Sequence, residues 1–140
     1  MSFTNFITQL GAAGAGGGVP LLAVAHGTSP YITVYSQDDD TFTKLANQPS
    51  SPNTNGFSVA FSPDDTYMAV GSQTSTVLKV YKWDGETFTN LTLSGGDPSG
   101  TVNGVAFSPD GTYLAAANGS SPFVTVYKRS GDTFTKLPAL

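Results

Sequence analysis

The chain has no cysteine in its 140 residues, one histidine, and six basic side chains. Without cysteine, neither disulfides nor thiolate metal sites hold the fold, and the redox compartment is unreadable. A lone histidine excludes a paired-histidine metal motif. Six cations and a net charge of −4 cannot build a stripe that tracks phosphates, so no nucleic acid is expected as a partner. No segment approaches the roughly 20 apolar residues that cross a bilayer, and no membrane insertion is expected. Residues 1–10 carry neither Lys nor Arg and no unbroken apolar run, so they do not read as a secretory signal. The sequence leaves a virion or extracellular location open, and a cytoplasmic one too.

What the chain does contain is too apolar for disorder: hydrophobic residues make up 39% and aromatics 11%. It also contains the same phrase three times. Tyr35, Tyr81 and Tyr127 each end a Val-Tyr pair, and Phe42, Phe88 and Phe134 each sit in Thr-Phe-Thr. Leu45, Leu91 and Leu137 follow, every interval being 46 residues. A fixed period of this length, built from short strand-like runs, signals a repeat architecture.

The third copy shows the unit most clearly. Residues 103–107 read as a strand, and Ser108-Pro109-Asp110-Gly111 as a turn with its glycine placed for positive φ. Residues 113–117, 123–128 and 133–137 read as three further strands separated by polar turns, giving a four-stranded antiparallel meander. The third strand of each copy carries large residues on both faces, so each sheet needs neighbours on both sides, as radially stacked blades provide. Ala23, Ala69 and Ala115 keep the second strand narrow at one place. The expected fold is all-β: three propeller blades at about 12–46, 57–92 and 103–138.

Ser62-Pro63-Asp64-Asp65-Thr66-Tyr67 and Ser108-Pro109-Asp110-Gly111-Thr112-Tyr113 resemble WD-like propeller repeats of the bacterial kind. Units such as Gly131-Asp132-Thr133-Phe134-Thr135-Lys136-Leu137 also look like repeat proteins of tailed phages and their hosts. The resemblance spans residues 21–140. It implies a propeller, and it is a poor guide to function because that superfamily holds scaffolds, lectins, enzymes and virion proteins. The Trp-Asp pair of eukaryotic WD repeats would fall on Tyr35-Ser36, Tyr81-Lys82 and Tyr127-Lys128, so their hydrogen-bonded tetrad is missing. Trp83-Asp84 lies two positions further on, at a turn.

Propellers usually have 4–8 blades. Three blades leave two apolar faces open, which invites association. Two chains would close a six-bladed ring; three chains, or docking on a larger virion assembly, are the alternatives. Residues 19–140 carry the blades, and residues 1–18 stand apart. Phe3, Phe6, Ile7 and Leu10 recur at helical spacing, with Ser2 as cap and Gly11 as stop. This predicts a short helix, read either as an anchor to the assembly or as a cap on the protein's own surface. Residues 11–18 read as a glycine tether or a degenerate innermost strand.

The alternation of strands places nine of the ten acidic residues at one end of the arc, leaving Asp97 at the other. Asp38, Asp39 and Asp40 lack the alternating spacing of a calcium loop and read as turn residues. The opposite end is polar and nearly uncharged. Its loops differ between copies, as a recognition surface on a repeated scaffold would. His26, Thr28, Tyr31, Gln73, Asn118, Ser120 and Phe123 are its candidate binding residues, with groups that hydrogen-bond and stack on a glycan; simple solvated connections are the alternative. No catalytic constellation, cofactor motif or metal motif is legible. The expected function is a non-enzymatic structural or binding module, plausible as a virion or tail component. A lectin-like receptor binder and a hydrolase with an interfacial site are the alternatives.

Overall fold

The computed structural model describes residues 19–50, 54–73 and 77–139, and the backbone of residues 6–10. The first blade comprises β1 (Phe6–Leu10), β2 (Leu21–Ala25), β3 (Ile32–Asp38) and β4 (Thr41–Lys44). The second comprises β5 (Gly56–Phe61), β6 (Tyr67–Ser72), β7 (Leu78–Trp83) and β8 (Phe88–Leu91). A two-residue strand, β9 (Leu93–Ser94), precedes the third blade of β10 (Val102–Phe107), β11 (Tyr113–Asn118), β12 (Val124–Ser130) and β13 (Thr133–Lys136). In each blade the four strands lie side by side in chain order. All their pairings are antiparallel. These are propeller blades.

The repeat in the sequence is a repeat in register. Leu22 pairs with Tyr35, Met68 with Tyr81 and Leu114 with Tyr127. Because alternate residues of a strand face opposite ways, the fixed register sorts side chains onto the same faces in every blade. Two apolar cores result, one at each blade junction. Ala23, Ile32 and Val34 of the first blade meet Met68, Val70 and Tyr81 of the second. One repeat on, Ala69, Leu78 and Val80 meet Leu114, Ala116 and Tyr127. All twelve are essentially inaccessible. Each such side chain contributes roughly 1.5–3 kcal/mol through burial, so junctions rather than single sheets hold the arc together.

Two features depart from the sequence expectation. The helix expected through Phe6, Ile7 and Leu10 is instead strand β1, paired with β2 through Phe6–Ala25, Ile7–Val24 and Leu10–Leu22 across an irregularity. A two-turn helix is marginal alone, whereas the inner edge of β2 holds unpaired backbone groups that a strand satisfies. The innermost strand of the first blade therefore lies upstream of the expected start at residue 12, and a strand stands where the helix was expected. Phe3 and residues 11–18 lie outside the described residues. The second departure is β9, which pairs parallel with β13 through Leu93–Phe134 and Ser94–Thr135. The segment leaving the second blade thus becomes a fifth strand on the outer edge of the third.

Candidate binding surface at the loop end

The turns between the first and second strands define the acidic end. Ser62 Oγ and Ser108 Oγ each hydrogen-bond to the aspartate two residues on, Asp64 and Asp110. Each also accepts the amide hydrogen of the following tyrosine, Tyr67 or Tyr113, at 2.9 Å. Such local Ser/Asp bonding is what favours these residues in turns. Asp110 is held down to about 2 by hydrogen bonds from Ser108 and Thr112. Burial pushes Asp64 up, but hydrogen bonds from Ser62, Arg129 and Thr66 outweigh it and its pKa is lowered.

These turns are tied across the junction of the second and third blades. Arg129 donates to Asp64 at 3.1 Å, and its guanidinium lies 4.8 Å above the Tyr67 ring. Tyr67 donates its hydroxyl hydrogen to Asp132 at 2.6 Å, and Lys82 reaches the other carboxylate oxygen at 2.8 Å. Both bonds hold Asp132 below the usual carboxylate range, the Lys82 bond most. Asp64, Asp110 and Asp132 are thus committed to structure.

At the other end, the structure divides the seven candidate residues. His26 Nε2 lies 3.0 Å from Thr33 Oγ1. Asn118 donates to Thr125 Oγ1 and to the Pro122 carbonyl, both at 2.7 Å, and is 6% exposed. These are the same position in two repeats, a polar residue at the end of the second strand tied to a threonine on the third. Asn118 Oδ1 is buried without a partner among the described residues. Gln73 bridges repeats: its main-chain N–H donates to the Asn55 main-chain carbonyl at 3.2 Å, Thr101 donates to its main-chain carbonyl at 3.1 Å, and its side-chain Oε1 accepts from Asn55 Nδ2 at 3.3 Å. Tyr31 takes a positive φ of 68° and is half-buried. Thr28 and Ser120 stay exposed, and Phe123 is 67% exposed. The outward polar surface is thus Thr28, the Gln73 side chain and Ser120, with Phe123 as an aromatic platform on the third blade.

Sequence reasoning passed over the residues that hold this end together. Tyr81 donates its hydroxyl hydrogen to the Ser50 carbonyl, and Tyr127 to the Gly96 carbonyl at 2.8 Å. Gln48 brackets β3, accepting from the Val34 amide at 2.7 Å and donating to the Val34 carbonyl at 2.9 Å. The repeated tyrosine was the available signal. On the inner side, an open groove of about 650 Å³ runs between β5 and β10, lined by Val59, Phe61, Pro63, Val105, Phe107 and Pro109 among others. Among the described residues no titratable side chain lines it, and its walls are mostly apolar. Among the described residues, no three His, Cys, Asp or Glu side chains are grouped to hold a metal.

The arc is similar in fold to parts of several solved structures. It superposes with a TM-score of 0.67 on a Bacteroides uniformis protein provisionally assigned as a 6-phosphogluconolactonase, at 18% identity over 89% of this chain and 37% of that one. For a functionally unknown protein of Desulfotomaculum acetoxidans the TM-score is 0.71, at 17% identity over 91% and 40%. For a chain of the mitotic checkpoint complex it is 0.63, at 17% identity over 88% and 37%. The chain thus spans about two fifths of the length of these structures. No curated protein matches the sequence. The model of the WD domain, G-beta repeat, matches residues 48–81 and 89–127, just over half of the chain, and the chain belongs to this WD40 family.

Proposed function

We propose that the chain is a non-enzymatic binding and scaffold module that recognises a protein partner through its nearly uncharged loop end. The observation that carries this reading is Phe123. It is 67% exposed beside exposed Ser120, on a loop pinned from beneath by the Asn118 bonds to Pro122 and Thr125. An exposed aromatic on a fixed polar base is the composition of an interface anchor. The WD40 assignment favours a binding role, and the lining of the inner groove favours one without catalysis. A chain of this kind works within an assembly, completed by further copies or docked on a larger particle such as a virion.

Selection of peptides from a displayed library against the immobilised protein tests the reading. Enriched peptides should lose affinity about tenfold or more with Phe123→Ala and keep it with Asp84→Asn at the acidic end. Peptides indifferent to Phe123→Ala would overturn it. A glycan ligand is the second reading, favoured by the neutral hydroxyl and amide groups of Thr28, Gln73 and Ser120; binding on a glycan array that is lost with Gln73→Ala would select it. Hydrolysis of 6-phosphogluconolactone by the purified protein would displace both.

A further inference from the structure

The two outward faces of the arc are halves of a junction that the chain already makes once. Between the second and third blades, Tyr67 meets Phe134 edge-on at 5.4 Å between ring centres. It also donates to Asp132, which Lys82 pairs at 2.8 Å. One repeat later, Tyr113 and Lys128 occupy the places of Tyr67 and Lys82 on the outward face of the third blade, and both are exposed. Two repeats earlier, Phe42 and Asp40 occupy the places of Phe134 and Asp132 on the outward face of the first blade, again exposed. Phe134 is 0% exposed and Phe42 46%; Tyr67 is 5% exposed and Tyr113 40%. The turn before the aspartate has the same hand, with φ 57° at Gly131 and 49° at Asp39.

The match is to this junction and not to the other. Between the first and second blades, Leu21 and Ser36 stand where Tyr67 and Lys82 would, so no Tyr-Lys-Asp set is formed there. A second observation concerns shape. The outward face of the third blade has an apolar dent of about 330 Å³ beside Ala115, Ala117 and Val124. The corresponding place on the second blade, at Gly71, is filled by the next blade: a Cβ there would lie 2.6 Å from Val102 Cγ1.

We propose that these faces bind each other between two copies of the chain, head to tail. Tyr113 and Lys128 of one copy engage Asp40 and Phe42 of the second, and two equal junctions close a six-bladed ring. The ion pair of Arg129 with Asp64 has no counterpart, because Gln37 stands at the Arg129 position. The inference rests on the assembly part of the function proposed above and deepens it; Phe123 takes the place of Val77, which the existing junction buries, so the loop surface of the third blade borders the proposed contact.

Light scattering of the full chain tests it. The expected mass is twice the 14.5 kDa of one chain. Lys128→Glu or Asp40→Lys, each placing like charges together, should weaken the dimer about tenfold or more, and the combined Lys128→Glu/Asp40→Lys protein should restore it. Both sites are exposed, so circular dichroism should show an unchanged β-fold in each variant. A monomeric wild type, or a dimer indifferent to both reversals, overturns the proposal. A three-chain mass with the same loss and rescue would support the junction and overturn the six-bladed ring. Gln73→Ala, at the loop end of the central blade and on neither outward face, should leave the mass unchanged, which separates failure of this inference from failure of the loop-end reading.

Discussion

Tyr127 reaches back 31 residues along the chain to donate its hydroxyl hydrogen to the Gly96 carbonyl, at 2.8 Å. Tyr81 does the same to Ser50 across the same separation of 31. Each repeat therefore grips the segment by which the previous one leaves. Tyr35, the first of the series, is half-buried and strand-paired to Leu22 and Lys44, and its hydroxyl has no hydrogen-bond partner among the described residues. Tyr127→Phe should cost about 1 kcal/mol, read as a lower urea midpoint at unchanged slope. Tyr35→Phe should be near neutral, and equal losses from both would refute the assignment.

Phe134 and Phe42 are the same residue in the repeat with different surroundings. Phe134 contacts Tyr67 and Phe107 at 5.4 and 6.2 Å. Phe134→Ala should destabilise by about 3–5 kcal/mol. At dilutions that keep the chain monomeric, Phe42→Ala should stay within about 0.5 kcal/mol. Thermal melts of the two variants side by side check this.

Gly71 is small because the third blade needs the room. A methyl at this position would lie 2.6 Å from Val102 Cγ1 and 2.9 Å from the Val102 carbonyl oxygen. Gly71→Ala should cost about 1–3 kcal/mol. Adding Val102→Ala should recover only part of it, since the carbonyl stays in place; full recovery in denaturant titrations would show that backbone crowding is unimportant.

Acid should loosen the turns. The folded pKa values of Asp64, Asp84, Asp110 and Asp132 are lowered, that of Asp110 to about 2. A group depressed in the folded state contributes stability above its ordinary value, here 3.8, and loses that contribution as pH falls through the folded value. Unfolding free energy should therefore decline between about pH 4 and pH 2. Asp110→Asn should flatten part of that slope, and an unchanged slope would remove Asp110 from the account.

Alkali should loosen the fold as well, through the tyrosines. Burial, then the hydrogen bond to Asp132, raises Tyr67 to about 12; burial raises Tyr81 to about 12 against a smaller opposing effect from Ser50. Their stabilisation is complete below the ordinary value of 10.0 and is lost as pH rises through about 12. Ultraviolet titration should show a late phenolate step that shrinks in Tyr81→Phe; a step of undiminished size would contradict the burial of Tyr81.

The blades were legible because repetition averages out local ambiguity: one apolar run is equivocal, and three in the same register are not. The first strand was not legible. Phe6, Ile7 and Leu10 suit a helical period, and the deciding factor is the bare inner edge of β2, a contact made far along the chain. Strand β9 is too short and polar to announce itself, and its pairing is set by β13. At the loop end, His26 and Asn118 looked like free polar groups. Their seven-residue links to Thr33 and Thr125 show them as ties, and the recurrence of threonine at those two places was visible in the sequence.

The parallel strand β9 also acts as an edge guard. It covers the outer border of the third blade along Phe134 and Thr135, where an uncovered strand would offer backbone donors and acceptors to any passing chain. In the described structure β4 and β8 are the last strands of their sheets, so the first two blades keep that border open. Unwanted strand addition, and with it fibrillar self-association, should therefore begin on the first two blades, and the third should be the last to be recruited.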